Sequence, residues 1–358
     1  MGDQEWSWND AREYYFKALT SETKAERDEN WGKTFRALGQ VMHLLQDSAN
    51  PSHVRNDLHA FDDGLHDYMA RHSVTAALGN NTFSPDPSML EEASLAGPNG
   101  EPFANLFDRE KYHGSAPEAT LGTDIGVTEY TNANFFSDDT IPGQGSIFGT
   151  DIKHPTVAEL VPAPSPSPYL TLSRLGSPAF PGARAAKLTG NEAVARFLLT
   201  NTHLDLLGQL QLDDAVYEGQ SINLIPRAVG YSAAVLDYFF RGDLQVAGSG
   251  QCHEPGLNKT QFWVDFAMSK PEHYHEGGFF SLYFEHPDGG WVLEDQVPWS
   301  VAAEQDSTRM TGGYPGPATT VRLALVYEGP LGPSGATEER GIVGKAQKIT
   351  TFFQPCLQ

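Results

Sequence analysis

The sequence predicts a mainly α-helical bundle followed by a C-terminal, all-β, sandwich-like domain. Apolar residues recur at steps of three and four over residues 7–79 and again over 222–240, the period of an amphipathic helix. From about residue 244 the apolar period changes to two, which is typical of strands with one buried face. This change of period predicts a helical domain over residues 1–243 and a β domain over 244–358.

Length, composition and charge limit the class of protein. The chain has 358 residues, enough for two domains, and its hydrophobic fraction of 39% is sufficient for packed cores. Lys and Arg number 24 against 46 Asp and Glu, so the formal net charge is -22. A chain this acidic lacks the excess of basic residues that binds the phosphates of nucleic acids. A role in solubility is sufficient to explain most of the acidic residues. No apolar run approaches the roughly 20 residues of a membrane span.

Helical periodicity predicts three helices before residue 80. They are predicted from about Ser7, from Ser21 or Thr23 to Asp47, and from Asp63 to Leu78. Two further helices are expected over 191–210 and 222–240, and they would close the bundle against the first three.

A long insertion separates these two groups of helices. Residues 80–175 are rich in Pro, Gly, Asn and Ser, and they include the proline-rich run 162–168. A stretch of this length is usually functional or ordered by its neighbours. Within it, residues 132–139 mix aromatic and polar groups, which indicates either the lining of a pocket or a helix that begins after Ser137.

The β domain is predicted from alternation and from turn residues. Strands are expected at Phe279–Glu285, at Val321–Tyr327 and at Ile349–Phe353. Gly- and Pro-rich turns at 287–290 and 332–335 separate strands. Short strands with such turns favour a small β-sandwich.

The C-terminal third holds both cysteines and a second group of histidines. Cys252 and Cys356 either pair, as suits a secreted or periplasmic protein, or remain free thiols. His273 and His275 are two residues apart and would lie on one face of a strand, as metal ligands do. An exposed polar loop before the strand at 279 is the commoner explanation of such a tract.

The segment from His43 to His66 carries four histidines and several carboxylates at metal-ligand spacing. His43 and Asp47 are four residues apart, so a helix places both side chains on one face. Pro51 ends that helix, and His53 follows where the chain turns back. Imidazole and carboxylate are preferred zinc ligands, so the segment predicts a zinc site. The alternative is that His43 and Asp47 are only members of the solvated helix face.

The order of these residues, with a further histidine on the next predicted helix, resembles the zinc-dependent phospholipase C superfamily, which also contains fungal single-strand nucleases. The similarity covers about residues 31–72. It implies an all-helical bundle that holds three zinc ions. By position, His43 resembles a ligand of the first zinc, and Asp47 resembles the catalytic carboxylate that bridges two zincs. His53 and His66 resemble two ligands of a separate zinc.

The sequence departs from the family pattern in two places. The family has an acidic residue four positions after the last histidine, where this chain has Ala70; His59 and Asp63 have that spacing and are possible substitute ligands. Family members also take ligands from further upstream, yet no histidine precedes His43 here. These departures imply fewer than three zinc ions in this chain, and either a chain that lacks its N-terminal ligand region or a degenerate zinc cluster.

The resemblance implies a zinc-dependent phosphodiester hydrolase in which metal-activated water attacks a phosphoester. Its expected substrate is a phospholipid or another small phosphoester, with nucleic acid less favoured because of the acidic charge. A single-strand nuclease is one alternative, and a non-catalytic binding or structural protein is another. The resemblance also implies a secreted or periplasmic location, with peripheral membrane contact through the C-terminal domain.

Overall fold

The computed structural model describes residues 5–57, 64–72, 83–91, 101–140, 153–156, 159–162, 169–176, 187–190, 212–254, 256–286, 288–299, 308–316, 320–333, 337–350 and 356. Contacts divide the chain into two compact units. The first unit combines Met1–Val41 with Asp237–Gln358, and the second is Met42–Leu236. The predicted helix at 191–210 lies outside the described residues.

The described α-helices are α1 Trp8–Thr20, α2 Lys24–Asp47, α3 Pro51–Val54, α4 Gly64–Arg71, α5 Val127–Asn134 and α6 Asp214–Phe239. Short 3-10 helices occur at Pro87–Leu90, Pro102–Leu106, Pro117–Leu121, Asp138–Thr140, Ser173–Gly176 and Pro271–His273. No helix in the described part of the chain is long and apolar enough to cross a bilayer.

The strands form three antiparallel sheets. The second unit contains β1 Leu160–Pro162, β2 Tyr169–Leu172 and β3 Lys187–Gly190, in that order. The first unit contains β4 Leu244–Glu254, β5 Lys259–Met268, β6 Phe279–Glu285, β7 Trp291–Pro298, β8 Thr308–Pro315, β9 Thr320–Leu331 and β10 Glu338–Thr350. Its two sheets have the strand orders β4-β5-β8 and β10-β9-β6-β7.

Side-chain caps fix the starts of the first two helices. Ser7 and Asp10 form a reciprocal capping box at the start of α1. Thr23 and Glu26 make the same pair of hydrogen bonds before α2. The predicted N-terminal starts near Ser7 and Thr23 therefore correspond to real caps.

The core of the first unit lies between its two sheets. Alternate side chains of β5 (Phe262, Val264, Phe266) face alternate side chains of β6 and β9 in one buried cluster. Aromatic rings fill one end of this cluster, where the Tyr274 and Tyr327 ring centroids are 4.7 Å apart. This alternation agrees with the predicted sandwich-like packing of the C-terminal strands.

Helix α1 packs against β10 and β9 of the β10-β9-β6-β7 sheet. Leu19 lies against Gly344 of β10, and Arg12 enters the interior. Arg12 donates two hydrogen bonds, of 2.6 and 2.7 Å, to the Glu338 carboxylate, and Arg241 donates a third. Trp8 Nε1 donates to the same carboxylate at 3.0 Å. An ion cluster thus joins the first helix to the last described strand.

The predicted fold class is wrong: the protein is a mixed α and β fold and not a mainly α-helical bundle. Helix α1 belongs to the same unit as seven of the strands, and a small sheet lies inside the region predicted to be helical and irregular. Periodicity predicted α1, α2, α6, β6 and β9 as the right kind of element, but it does not report which distant segment covers an apolar face. The bundle prediction failed at that step.

Cys252 and Cys356 form a disulfide across a sequence separation of 104 residues. This bond selects one of the two alternatives left open by the sequence. It fastens the end of the chain to β4, where the Cys356 amide also donates to the His253 carbonyl at 3.1 Å.

Replacing both cysteines by serine is expected to lower the free energy of unfolding by about 2–5 kcal/mol, because a loop of this length restricts the unfolded chain strongly. Urea unfolding under oxidising conditions measures the effect. Reducing agent should lower the urea midpoint of the wild type. It should leave the urea midpoint of Cys252→Ser/Cys356→Ser unchanged. Identical wild-type midpoints with and without reductant would contradict the expectation.

Candidate metal centre and a cavity beside helix α4

His43 and Asp47 lie on one face of the last two turns of α2. His43 Nε2 is 3.5 Å from Asp47 Oδ2, and the two side chains are 65% and 29% exposed. Two ligands at 2.0–2.2 Å from a tetrahedral zinc are separated by about 3.3–3.6 Å. The observed separation therefore fits two positions of one zinc coordination shell, and both groups are open to solvent.

Helix α2 ends immediately after this pair, and α3 begins four residues later. Asn50 accepts a hydrogen bond from the Ser52 amide at 3.1 Å and caps α3, whose first residue is Pro51. His53 lies on the exposed side of α3. The asparagine cap and the proline together produce the turn that the sequence predicted between Asp47 and His53.

The remaining candidate ligands are more scattered. His66 is exposed on α4, with its Nδ1 4.0 Å from Asp67 Oδ1. His59 and Asp63 lie outside the described residues. Within the ranges that the structure describes, no group of three or more His, Cys, Asp or Glu side chains is arranged to hold a metal ion. The structure thus brings His43 and Asp47 together and does not join His66 to them.

A buried arginine fastens the His53 turn to the rest of the second unit. Arg55 is 3% exposed, and burial lowers its pKa to about 10, so it remains charged at neutral pH. Its Nε donates to Thr140 Oγ1 at 2.6 Å, and Nη1 donates to the carbonyls of Asn132 and His154 at 2.6 and 3.0 Å. These three bonds fix the chain two residues after His53.

A cavity of about 900 Å³ lies beside α4. It is formed by α4, the Asp138–Thr140 turn, the Tyr169 strand and the first turn of α6. Its polar lining residues are Asp67, Arg71, Asp138, Tyr169, Asp213, Asp214 and Tyr217. Ala70, which stands where the resembling family has a carboxylate, also lines this cavity.

Two tyrosine hydroxyls connect the walls of the cavity. The Tyr217 hydroxyl donates to both Asp138 oxygens, at 2.8 and 2.9 Å, and the Tyr169 hydroxyl donates to Asp213 at 2.9 Å. Helix α4 approaches so closely that a Cβ at Gly64 would lie 1.9 Å from the Tyr217 hydroxyl. A side chain at position 64 would therefore have to displace the Tyr217 hydroxyl and the Asp138 carboxylate.

The cavity carries excess negative charge, with four aspartates and one arginine. Arg71 is 3.1 Å from Asp214 in an exposed pair. Burial and the neighbouring Asp213 raise the pKa of Tyr169, which therefore stays protonated as a donor. Sequence reasoning missed Tyr169, Asp213, Asp214 and Tyr217. Its one relevant signal was the mixed stretch 132–139, which contains Asp138.

The second histidine group has structural partners. Cys252 is in the disulfide, His273 ends a 3-10 helix, and His275 Nε2 is 2.7 Å from the Gly332 carbonyl. Burial lowers the pKa of His273, so its neutral form predominates near pH 7. The two histidines do not share a strand face, because His273 ends a 3-10 helix; both are partly buried on either side of the core residue Tyr274.

Neither a comparison with models of known protein families nor one with curated protein sequences finds a match to this chain.

Proposed function

We propose that the protein is a zinc-dependent phosphodiester hydrolase whose site is built on His43, Asp47, His53 and His66. The observation that carries the proposal is the 3.5 Å separation of His43 Nε2 and Asp47 Oδ2 on one face of α2. This separation matches the edge of a tetrahedral zinc shell, and both residue types are suitable zinc ligands. Helix α3, which begins at Pro51, carries the further imidazole of His53 six residues after Asp47 in the sequence.

Bound zinc would supply a water of lowered pKa and would stabilise negative charge on phosphoryl oxygens. The protein's own residues have separate tasks. His43 and Asp47 hold the cation at the end of α2, and Asp47 adds the negative charge that offsets it. Tyr217 and Asp138 form part of the wall of the cavity beside α4, which would receive the substrate. No serine or cysteine nucleophile is required.

The charge of the protein bears on the substrate. With a net charge of -22 and four aspartates in the cavity, a long polyanion such as single-stranded DNA would be repelled. We therefore favour a phospholipid or another small phosphoester over nucleic acid. The disulfide supports a secreted or periplasmic location, because such bonds persist in oxidising compartments. We also propose that the C-terminal domain makes peripheral contact with a membrane.

A second candidate function is a non-catalytic binding or structural protein. Ala70 in place of an acidic residue favours it, as does the lack of a third ligand beside His43 and Asp47 within the described part of the chain. Elemental analysis of the purified chain, with hydrolysis of a chromogenic phosphocholine ester and of single-stranded DNA, separates the two functions. Bound zinc with turnover of the ester supports the hydrolase. A folded chain without metal or activity supports the alternative.

The Ala70→Glu variant tests the assignment of His66. A glutamate four residues after His66 lies on the same helix face and can share a cation with it, so zinc occupancy should rise. Zinc content after dialysis against micromolar zinc is the measurement. Gln245→Glu adds the same charge at an exposed position of β4 and should leave occupancy unchanged. Equal occupancy in Ala70→Glu and the wild type would count against His66 as a ligand.

A further inference from the structure

The outer face of the β4-β5-β8 sheet combines an aromatic ring with polar side chains. The even-numbered residues of β5 lie in the core, so Gln261, Trp263 and Asp265 project from the opposite face. Trp263 is paired with Gly250 of β4 and with Thr311 of β8, and directly paired residues share a face. The indole therefore lies on the central strand, with a glycine on one side and a threonine on the other.

Two neighbours fix the orientation of the Trp263 ring. A Cβ at Gly250 would lie 2.8 Å from the ring atoms Cε2 and Cζ2, so the ring packs closely on the β4 backbone. The Arg309 guanidinium carbon lies 4.4 Å from the ring centroid. Arg309 also donates two hydrogen bonds, of 2.6 and 2.8 Å, to the Asp265 carboxylate. The ring is thus held in place beside an ion pair whose charges balance.

A cavity of about 310 Å³ opens beside the indole. This volume is at the lower end of the range for small-molecule sites, about 300–1,000 Å³. No side chain fills the cavity from Gly313, where a Cβ would collide with the Lys259 side chain. Trp263 and Phe262 supply aromatic carbon to the lining. Its other hydrogen-bonding side chains are Lys259, Gln261, Glu294 and Thr311.

The lining residues retain hydrogen-bonding capacity. Gln261 and Glu294 each use one polar atom, in bonds of 2.7 and 3.0 Å, which leaves Oε1 of both as an acceptor. In the part of the chain that the structure describes, the Trp263 Nε1–H, the Lys259 ammonium and the Thr311 hydroxyl have no hydrogen-bond partner. The cavity therefore offers donors and acceptors together, next to an aromatic ring.

A neutral saccharide matches this lining. A sugar ring presents C–H groups to an aromatic side chain, while its hydroxyls both donate and accept hydrogen bonds. One lysine and one glutamate line the cavity, so their formal charges cancel. The net charge of -22 disfavours an anionic ligand. A wholly apolar ligand would leave the polar lining groups without partners, which costs free energy.

We propose that this cavity in the C-terminal β domain binds a neutral saccharide. Trp263 makes the aromatic contact, and Gln261 and Thr311 bind sugar hydroxyls. The proposal goes beyond the proposed hydrolase function and does not depend on it, since no residue of the zinc site takes part. Saccharide binding would attach the protein to a surface that carries glycans.

The test measures binding of the full chain to soluble oligosaccharides of glucose, mannose, galactose and N-acetylglucosamine, with heparin as a charged comparison. Isothermal titration calorimetry gives the dissociation constants. The variants are Trp263→Ala and Gln261→Ala. Trp291→Ala is a matched control, because Trp291 is partly exposed in β7 and its ring centroid lies 5.2 Å from an arginine guanidinium carbon. Gln245→Ala is the control for glutamine, at an exposed position of β4 outside the cavity lining.

The wild type is expected to bind at least one neutral oligosaccharide and not heparin. Trp263→Ala should weaken that binding by at least about 10-fold, as the loss of an aromatic anchor does. Gln261→Ala should weaken it about 2–10-fold, the contribution of one hydrogen bond. Both controls should keep wild-type affinity. Urea unfolding verifies that each variant is folded, and Thr311→Val with Gln261→Ala replaces Trp263→Ala if that variant does not fold.

Three outcomes would overturn the inference. They are no binding of any neutral oligosaccharide by the folded wild type, binding of heparin alone, and undiminished binding by folded variants of the cavity. An equal loss of affinity in Trp291→Ala would show a general effect of stability and would also count against it. Zinc content and ester hydrolysis should be the same in Gln261→Ala and the wild type, so the saccharide site and the proposed function can fail separately.

Discussion

Asp47→Asn is expected to reduce hydrolysis of a phosphocholine ester by at least about 100-fold and to lower zinc occupancy. The substitution keeps the shape of the side chain but removes the charge that offsets the cation and makes the oxygen a strong ligand. His43 would then be left without its partner 3.5 Å away. Steady-state kinetics and elemental analysis measure the two effects.

Stability should change little in the same variant. An exposed pair of this kind contributes at most about 1 kcal/mol to folding. Asp28→Asn is the matched control, because Asp28 is an exposed carboxylate on the same helix, paired with Lys24. The control should keep full activity and zinc content. Wild-type activity in folded Asp47→Asn would refute the assignment of Asp47.

Glu338→Gln is expected to destabilise the first unit by about 3–5 kcal/mol, since removing one partner of a buried ion cluster leaves the others uncompensated. Arg12 and Glu338 are 1% and 2% exposed, and Arg241 also donates to the carboxylate. Burial alone would raise the pKa of Glu338, but the two arginines outweigh it and hold that pKa below its usual value. Glutamine retains the size of the side chain and removes only the charge.

Urea unfolding followed by tryptophan fluorescence provides the measurement. Glu328→Gln is the control, because Glu328 pairs with Arg340 at a partly exposed position of β9. That variant should lose less than about 1 kcal/mol. If both variants lose the same amount, the buried cluster does not contribute the stability assigned to it.

Local sequence patterns predicted those features that depend on residues close together in the chain, namely helix caps and the alternation of a strand. The capping residues Ser7 and Thr23 precede α1 and α2, and the predicted strand at 279–285 is β6 with the same bounds. Strand β9 shows the limit. Alternation predicted one buried face, yet Ala324 and Val326 on its other face are buried as well, next to α1. The apolar pattern of β9 does not reveal that α1 buries this second face, because α1 lies some 300 positions away in the sequence.

The candidate site likewise contains one part that the sequence predicts and another that it does not. The facing of His43 and Asp47 follows from helical geometry, so spacing was sufficient to predict it. The cavity combines Asp138 with Tyr217 from distant segments, and no local spacing links them. Arg55 was also unpredictable, because arginines are almost always exposed and only tertiary packing shows that one is enclosed.

The ion cluster at Glu338 has a consequence for the order of folding. Trp8 and Glu338 are separated by 330 residues in the sequence, yet they share a hydrogen bond. The first unit therefore needs contacts between two distant stretches of chain, whereas the unit of residues 42–236 is built from one continuous stretch. Since contacts of such long range slow folding, we expect the contacts of α1 with β10 to form late.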